Sequence, residues 1–240
     1  MASIVSQARI VGRLGARALP IAVVLFFFAS WAARAYPTVA NAPEADPMAE
    51  LKVAIGEAIG LFKDQSIPLT ERRERLRALA MRRFDFPAMA RSVLGYHWRD
   101  LNAEQRGQFV PVFAAFIQDA YLSKLQDYTV KKVQDEVQTL SIQYTRETFD
   151  GPDYAQVNTF VGVKEQKDPI QVNYLMHRDG GQWRIYDVTI DAISVIANYR
   201  NQFNRVINNS GYDQLVADLQ VKREQFRQTL DQPASGSRPR

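Results

Sequence analysis

Between residues 140 and 190 apolar and polar side chains alternate in four short runs, and this pattern limits the fold more than any other feature of the sequence. Leu140, Ile142 and Tyr144 form the first run, and Val157, Thr159, Val161 and Val163 the second. Ile170, Val172, Tyr174 and Met176 form the third, and residues 183–190 the fourth. Asp150-Gly151 and Asp179-Gly180-Gly181 are turn signals, and residues 165–169 make the connection between them. Parallel strands need crossovers of a dozen residues or more, so connections this short imply an antiparallel meander with one apolar face. That face must be covered by something else.

The flanking segments carry the cover. Residues 48–62 place Leu51, Ile55, Ala58, Ile59 and Phe62 at helical spacing. Thr70, with acidic Glu71 and Glu74 behind it, opens a second helix through Leu76, Leu79 and Ala80. Pro87 suits the first turn of a third, over residues 87–94, which Gly95 stops. Asn102 caps a long helix over residues 103–128, and Pro111 near its middle should kink it, because proline removes a backbone donor. Residues 194–209 and 212–230 form two closing helices separated by Gly211. Helices, then strands, then helices give an α+β chain with helices packed on one sheet face.

Residues 1–35 carry Arg9, Arg13, Arg17 and Arg34 and no acidic side chain. Residues 18–33 are an apolar stretch, followed by the small–x–small tripeptide Ala33-Arg34-Ala35. This is the pattern of a secretory signal peptide cleaved after Ala35, and the stretch falls short of the roughly 20 residues of a membrane span. Residues 36–47 then form a Pro/Ala-rich linker, 48–230 a single domain, and 231–240 a disordered tail. The whole chain has a net charge of +4 from 30 basic and 26 acidic residues, and the four leader arginines account for the entire excess. A neutral mature chain does not fit nucleic acid, which calls for clustered Lys and Arg.

With no cysteine and only two histidines, His97 and His177, thiolate and histidine-rich metal sites and disulfides are excluded. No GxSxG, P-loop or GxGxxG motif occurs. Asp187 and Asp191 share parity at the end of the last strand, so they could face one side and abstract a proton in an apolar pocket. The plainer reading is that they cap the next helix or pair with Arg200. Asp85, between two phenylalanines, is likewise read as a helix cap. His97 is read as a surface or half-buried residue beside Trp98, and His177 as exposed at a strand end.

The domain is unusually aromatic. Phe84, Phe86, Trp98, Phe109, Phe113, Phe116 and Tyr121 come from the first half, and Tyr174, Trp183, Tyr186, Tyr199 and Phe203 from the second. Such rings either pack solidly or line a cavity for a large apolar ligand, and spacing does not separate the two.

Four stretches carry a resemblance to a known family: FDFPAMARSVLGYHWRDL (84–101), QRGQFVPVFAAFIQDAYLSKL (105–125), IQVNYLMHRDGGQWRIYDVTIDAISVIANYRNQF (170–203) and GYDQLVADLQVK (211–222). Leu94, Gly95 and Trp98 match a Leu-Gly…Trp pattern. Trp183, Tyr186, Asp187 and Val188 match Trp-x-x-Tyr-Asp-Val, and Asn198, Tyr199, Arg200 and Phe203 match Asn-Tyr-Arg-x-x-Phe. In these features the chain resembles the MlaC-type, or toluene-tolerance, proteins, which are periplasmic phospholipid carriers of Gram-negative bacteria. One departure is Asp191-Ala192-Ile193-Ser194, where the family more often has Glu-Gly-Val-Ser.

The resemblance implies a twisted antiparallel meander of four to five strands, wrapped by N- and C-terminal helices around an apolar lipid cavity. It implies a non-catalytic protein that holds phospholipid as cargo and needs no cofactor or metal. Its partners would be an inner-membrane ABC transporter complex and an outer-membrane lipoprotein complex. Combined with apolar character and alternation, it selects as lipid-binding residues Phe84, Phe86, Leu94, Trp98, Phe109, Phe113, Phe116, Ile117, Tyr121, Tyr174, Trp183, Ile185, Val188, Val195, Tyr199 and Phe203. Arg200 could meet a lipid phosphate or pair with Asp187. A related subgroup accompanies hopanoid biosynthesis, so another polar lipid is an alternative cargo. Two other classes stand beside the carrier: an isomerase or dehydratase using Asp187, and a solid-cored envelope scaffold.

Overall fold

The computed structural model describes residues 46–126, 139–162 and 168–231. The leader, most of the linker, the expected helix end at Tyr128, Val163, most of the 165–169 connection and nearly all of the tail lie outside the described residues. Five helices precede the sheet: α1 Pro47–Lys63, α2 Leu69–Arg83, α3 Phe86–Leu94, the single turn α4 His97–Asp100, and α5 Ala103–Gln126. The strands are β1 Ser141–Asp150, β2 Tyr154–Gly162, β3 Ile170–Asp179, β4 Gln182–Ile190 and the short β5 Ile193–Ser194. Helices α6 Val195–Ser210 and α7 Tyr212–Asp231 follow. The sheet order is β1-β2-β3-β4-β5 and every neighbouring pair is antiparallel, as the alternating runs predict.

Helices α1, α3 and α5 begin where a backbone donor finds a side chain. Asp46 accepts from the amides of Met48 and Ala49 at the start of α1, and Pro47 follows it. Asp85 accepts from the Ala88 amide, which starts α3 one residue earlier than the proline alone indicates. Asn102 and Gln105 satisfy each other's amides in a capping box. Helix α2 differs from expectation: it starts at Leu69 behind Pro68 with no side-chain cap, so Thr70 is already inside it. Gly95 ends α3 with a φ of 59°, a conformation that suits glycine. Pro111 lies within α5, which is helical on both sides of it.

Cross-strand rows define the inner face of the sheet. One row runs Val157–Tyr174–Val188, the next Ala155–Met176–Ile185, and a third Thr159–Val172–Ile190. All nine side chains are buried. The rows stay aligned only because β4 has a bulge: Leu175 pairs with Asp187 and Met176 with Ile185, which leaves Tyr186 without an opposite residue. The buried positions therefore change parity, from Trp183 and Ile185 to Val188 and Ile190. A second bulge, at Thr145 of β1, does the same between Tyr144 and Glu147.

The Asp179–Gln182 hairpin turns on Gly180 and Gly181, both at positive φ as a two-residue primed turn requires. The β4–β5 turn has the same two-residue form between Ile190 and Ile193, yet Asp191 and Ala192 occupy it with φ of 46° and 65°. Side chains in this region are disfavoured by contact between Cβ and the backbone. Ala192 is exposed, so Ala192→Gly removes that strain without loss of packing. The substitution is expected to raise the free energy of unfolding by about 0.5–1 kcal/mol, read as a higher denaturant midpoint at unchanged slope. A lower midpoint would show that the turn is not strained.

Candidate functional site

The sixteen side chains selected from the sequence converge on one interior. Fifteen are buried and belong to the main apolar cluster, and Trp98 packs half-buried against its edge under the guanidinium of Arg106. They arrive from four directions. Phe84, Phe86 and Leu94 come from the α2–α3 junction and α3. Phe109, Phe113, Phe116, Ile117 and Tyr121 come from α5, and Val195, Tyr199 and Phe203 from α6. Tyr174, Trp183, Ile185 and Val188 come from the inner sheet face.

On the helical side the rings touch one another. Phe203 meets Phe109 and Phe113 edge-on, with centroids 6.5 and 6.3 Å apart, and Phe109 stacks on Phe113 at 5.8 Å. Phe116 meets Tyr199 edge-on at 5.7 Å and Phe226 of α7 at 6.0 Å. Each such pair adds about 0.5–1.5 kcal/mol beyond the area it buries. Val206 of α6 and Tyr212 and Phe226 of α7 extend the same surface. Tyr212 and Phe226 escaped selection because α7 reads as mainly polar.

The tyrosines bring hydroxyls into this surface. Burial pushes the Tyr121, Tyr174 and Tyr199 phenols well up from their ordinary value, and Tyr144 up to about 12. All four therefore keep their protons at physiological pH. Lys52 of α1 lies over the Tyr144 ring at 5.2 Å, placing a cation at the β1 side of the inner face.

The buried acids are each engaged. Asp85 caps α3, and its other carboxylate oxygen accepts from His177 Nε2 at 2.6 Å. His177 is thus half-buried, not exposed as its place near a strand end suggested: it stacks on Tyr154, meets Tyr186 edge-on, and reaches the helical half of the chain through Asp85. Asp119 of α5, 1% exposed, is held by Arg77 of α2 and Arg223 of α7. Asp187 accepts from Ser194 Oγ at 2.5 Å and from the amides of Val188 and Ile196. Ser194 in turn accepts from the Ala197 amide, so the two side chains together cap α6. The capping reading of Asp187 holds, and the bulge takes it out of the inner-facing set. Asp191 does not join it: Asp191 is exposed and accepts from the Gln171 amide. Arg200 donates from Nε to the Ser92 carbonyl at 2.6 Å and acts on Asp187 as a nearby positive charge. His97 is half-buried, with Nε2 2.8 Å from Asn204 Oδ1.

Sequence reading missed the interior polar groups of α5, Asp119 and Gln118. Gln118 of α5 is 6% exposed, and its Nε2 has no hydrogen-bond partner. Among the described residues no group of three or more His, Cys, Asp or Glu could hold a metal ion, and no helix is long and apolar enough to cross a membrane.

Comparison with known proteins adds three findings. The family model described as MlaC protein matches residues 54–221. The intermembrane phospholipid transport system binding protein MlaC of Haemophilus influenzae is 26% identical over 143 residues, which are 55% of this chain and 59% of that protein. The chain therefore matches rather less than two thirds of that relative's length. A solved structure of a phospholipid-binding protein from Ralstonia solanacearum, in complex with a phospholipid, shares the fold with a TM-score of 0.63 at 21% identity. The likeness covers 76% of this chain and 99% of the other.

Asp187 carries a pH signature. Burial raises its carboxyl above the ordinary value, against the lowering effect of Ser194, the two amides and Arg200. A carboxyl with a raised folded-state pKa contributes stability that is complete below its unfolded value and is lost as pH rises through the folded one. The stability of the wild type relative to Asp187→Asn should therefore fall as pH rises across the carboxylate range, in urea unfolding at a series of pH values. A rise would show that the three donors outweigh burial.

Proposed function

The chain belongs to the MlaC family, and we propose that it is a periplasmic carrier that binds phospholipid and moves it between the inner and outer membranes. The observation that carries this reading is the joining of rings from α3, α5 and α6 with the inner sheet face into one apolar interior, in a chain whose family match runs through all of those elements. We place the acyl chains among the sixteen residues named above, between the sheet and the helices. Tyr121, Tyr174 and Tyr199 supply hydroxyls within that apolar surface.

Physical chemistry requires such an interior. A diacyl phospholipid has about 30 methylenes, each costing about 0.8 kcal/mol to expose to water, so unassisted transfer faces a barrier of over ~20 kcal/mol. A carrier must hide most of that surface and still give the lipid up, so its interior need only rival a bilayer. The rings described above pack against one another, and they part to admit acyl chains at the expense of contacts that the lipid replaces. No covalent step is needed. The buried carboxylates Asp85, Asp119 and Asp187 are all taken up by caps, a histidine or arginines, which supports binding rather than proton transfer.

In this reading residues 1–35 are removed after Ala35, residues 36–47 link and 231–240 trail a single domain over 48–230. The protein takes lipid from, or gives it to, an inner-membrane ABC transporter complex and an outer-membrane lipoprotein complex. A mature chain of zero net charge can dock on anionic membranes and leave again.

Native mass spectrometry of the protein purified from an envelope extract without detergent tests the reading. The expected spectrum shows a chain beginning at Tyr36 with one co-purified phospholipid. A hopanoid mass would change the cargo and keep the carrier. A bare protein mass that stays bare after incubation with phospholipid vesicles would overturn it.

A further inference from the structure

Helix α5 is buried along most of its second half, and its sides have different partners. Phe109, Phe113 and Phe116 meet the rings of α6 and α7. Asp119 meets Arg77 and Arg223, and Ser123 donates to the Ala120 carbonyl. Gln118 belongs to neither set. At 3.6 residues per turn it lies about 100° round the helix from Asp119 and about 200° from Phe116. Its neighbours one turn away are Ala114, Tyr121 and Leu122, all buried, and half-buried Ala115. Tyr121 lies within electrostatic reach of Tyr199 and Asp187, so this side of α5 looks toward the start of α6 and the end of β4.

A buried amide that serves only packing is a poor choice, since leucine fills similar space with no polar group to desolvate. The other buried polar side chains of α5 have partners, and Arg72, which also has an unpartnered Nε, donates through Nη2 to the carbonyls of Asp64 and Ile67. Gln118 Nε2 has none, and a buried donor without an acceptor forfeits the hydrogen bonds it makes to water in the unfolded chain. The uncharged side chains one turn away on α5 favour a neutral acceptor. The side chains one turn away are alanines, a tyrosine and a leucine, whereas a phosphate oxygen calls for Arg or Lys.

We propose that Gln118 donates through Nε2 to an ester carbonyl oxygen of the bound diacyl lipid, fixing the depth at which the glycerol-ester region sits. This rests on the carrier reading and adds a specificity to it: the protein distinguishes ester-linked from ether-linked chains. The ether lipid has the same length and head group but no carbonyl to accept the bond.

The test measures lipid retained by the purified protein after exposure to vesicles of palmitoyl-oleoyl phosphatidylethanolamine, or of its dialkyl ether analogue. The wild type should retain the ester lipid better, by about tenfold in apparent dissociation constant. Gln118→Leu should lower ester retention to the ether level, leave ether retention unchanged, and melt at or above the wild-type temperature when lipid-free. Gln118→Met serves if the leucine variant fails to fold, and the wild-type comparison needs neither. Equal retention of ester and ether by the wild type overturns the inference while the carrier reading stands. So does a preference that survives both substitutions. A wild type that takes up neither lipid overturns the carrier reading, and this inference with it.

Discussion

Phe84 and Asp85 tie the helical half of the molecule to the sheet. Phe84 bridges Ile185 of β4, and the Asp85 amide donates to the Ile185 carbonyl at 2.9 Å. Asp85 then uses one carboxylate oxygen to start α3 and the other to hold His177 of β3. Four functions meet in two adjacent residues: the end of α2, the start of α3, a backbone link to β4 and a side-chain link to β3. The position of α3, and of everything α3 packs against, follows from that junction. The rings of Phe84 and Phe86, 6.1 Å apart, begin the apolar interior there.

From this anchor the structure divides its labour. The sheet supplies a smooth apolar wall, kept in phase by two bulges. Helix α5 supplies the centre, since it meets rings on one side and an ion-paired acid on another. The Asp119 carboxylate, between arginines of α2 and α7, holds three helices at a fixed distance. A pair so buried gains little net stability, because desolvation offsets attraction. Its contribution here is registry among the three helices.

Much of this was legible in the sequence because it rests on period. The four alternating runs became four strands in the expected order, and the glycines at 95, 151, 180 and 181 marked turns and a helix end because only positive φ serves there. The aromatic interior was legible for the same reason, since rings at helical and strand spacing must face inward together. What was not legible rests on distance along the chain. His177 looked exposed because its partner, Asp85, is 92 residues away. The parity argument for Asp187 and Asp191 failed because Asp191 lies in the β4–β5 turn at positive φ, and because the bulge at Tyr186, invisible to simple alternation, takes Asp187 off the inner face. Asp119 and Gln118 sit next to each other among apolar neighbours, and nothing local tells that one is ion-paired and the other unpartnered. No pattern in α7 indicated that Phe226 would close the ring cluster.

Acyl chains lying against the inner sheet face would touch Trp183, which therefore reports on them. The sequence has three tryptophans: Trp31, half-buried Trp98 and fully buried Trp183. In the protein carrying Trp31→Phe and Trp98→Phe, Trp183 is the sole indole. Loading with phospholipid brominated along its acyl chains should quench its fluorescence strongly, while lipid brominated only at the head group should not. Fluorescence unchanged by chain-brominated lipid, in a protein that mass measurement shows to be loaded, would place the lipid elsewhere and contradict the account.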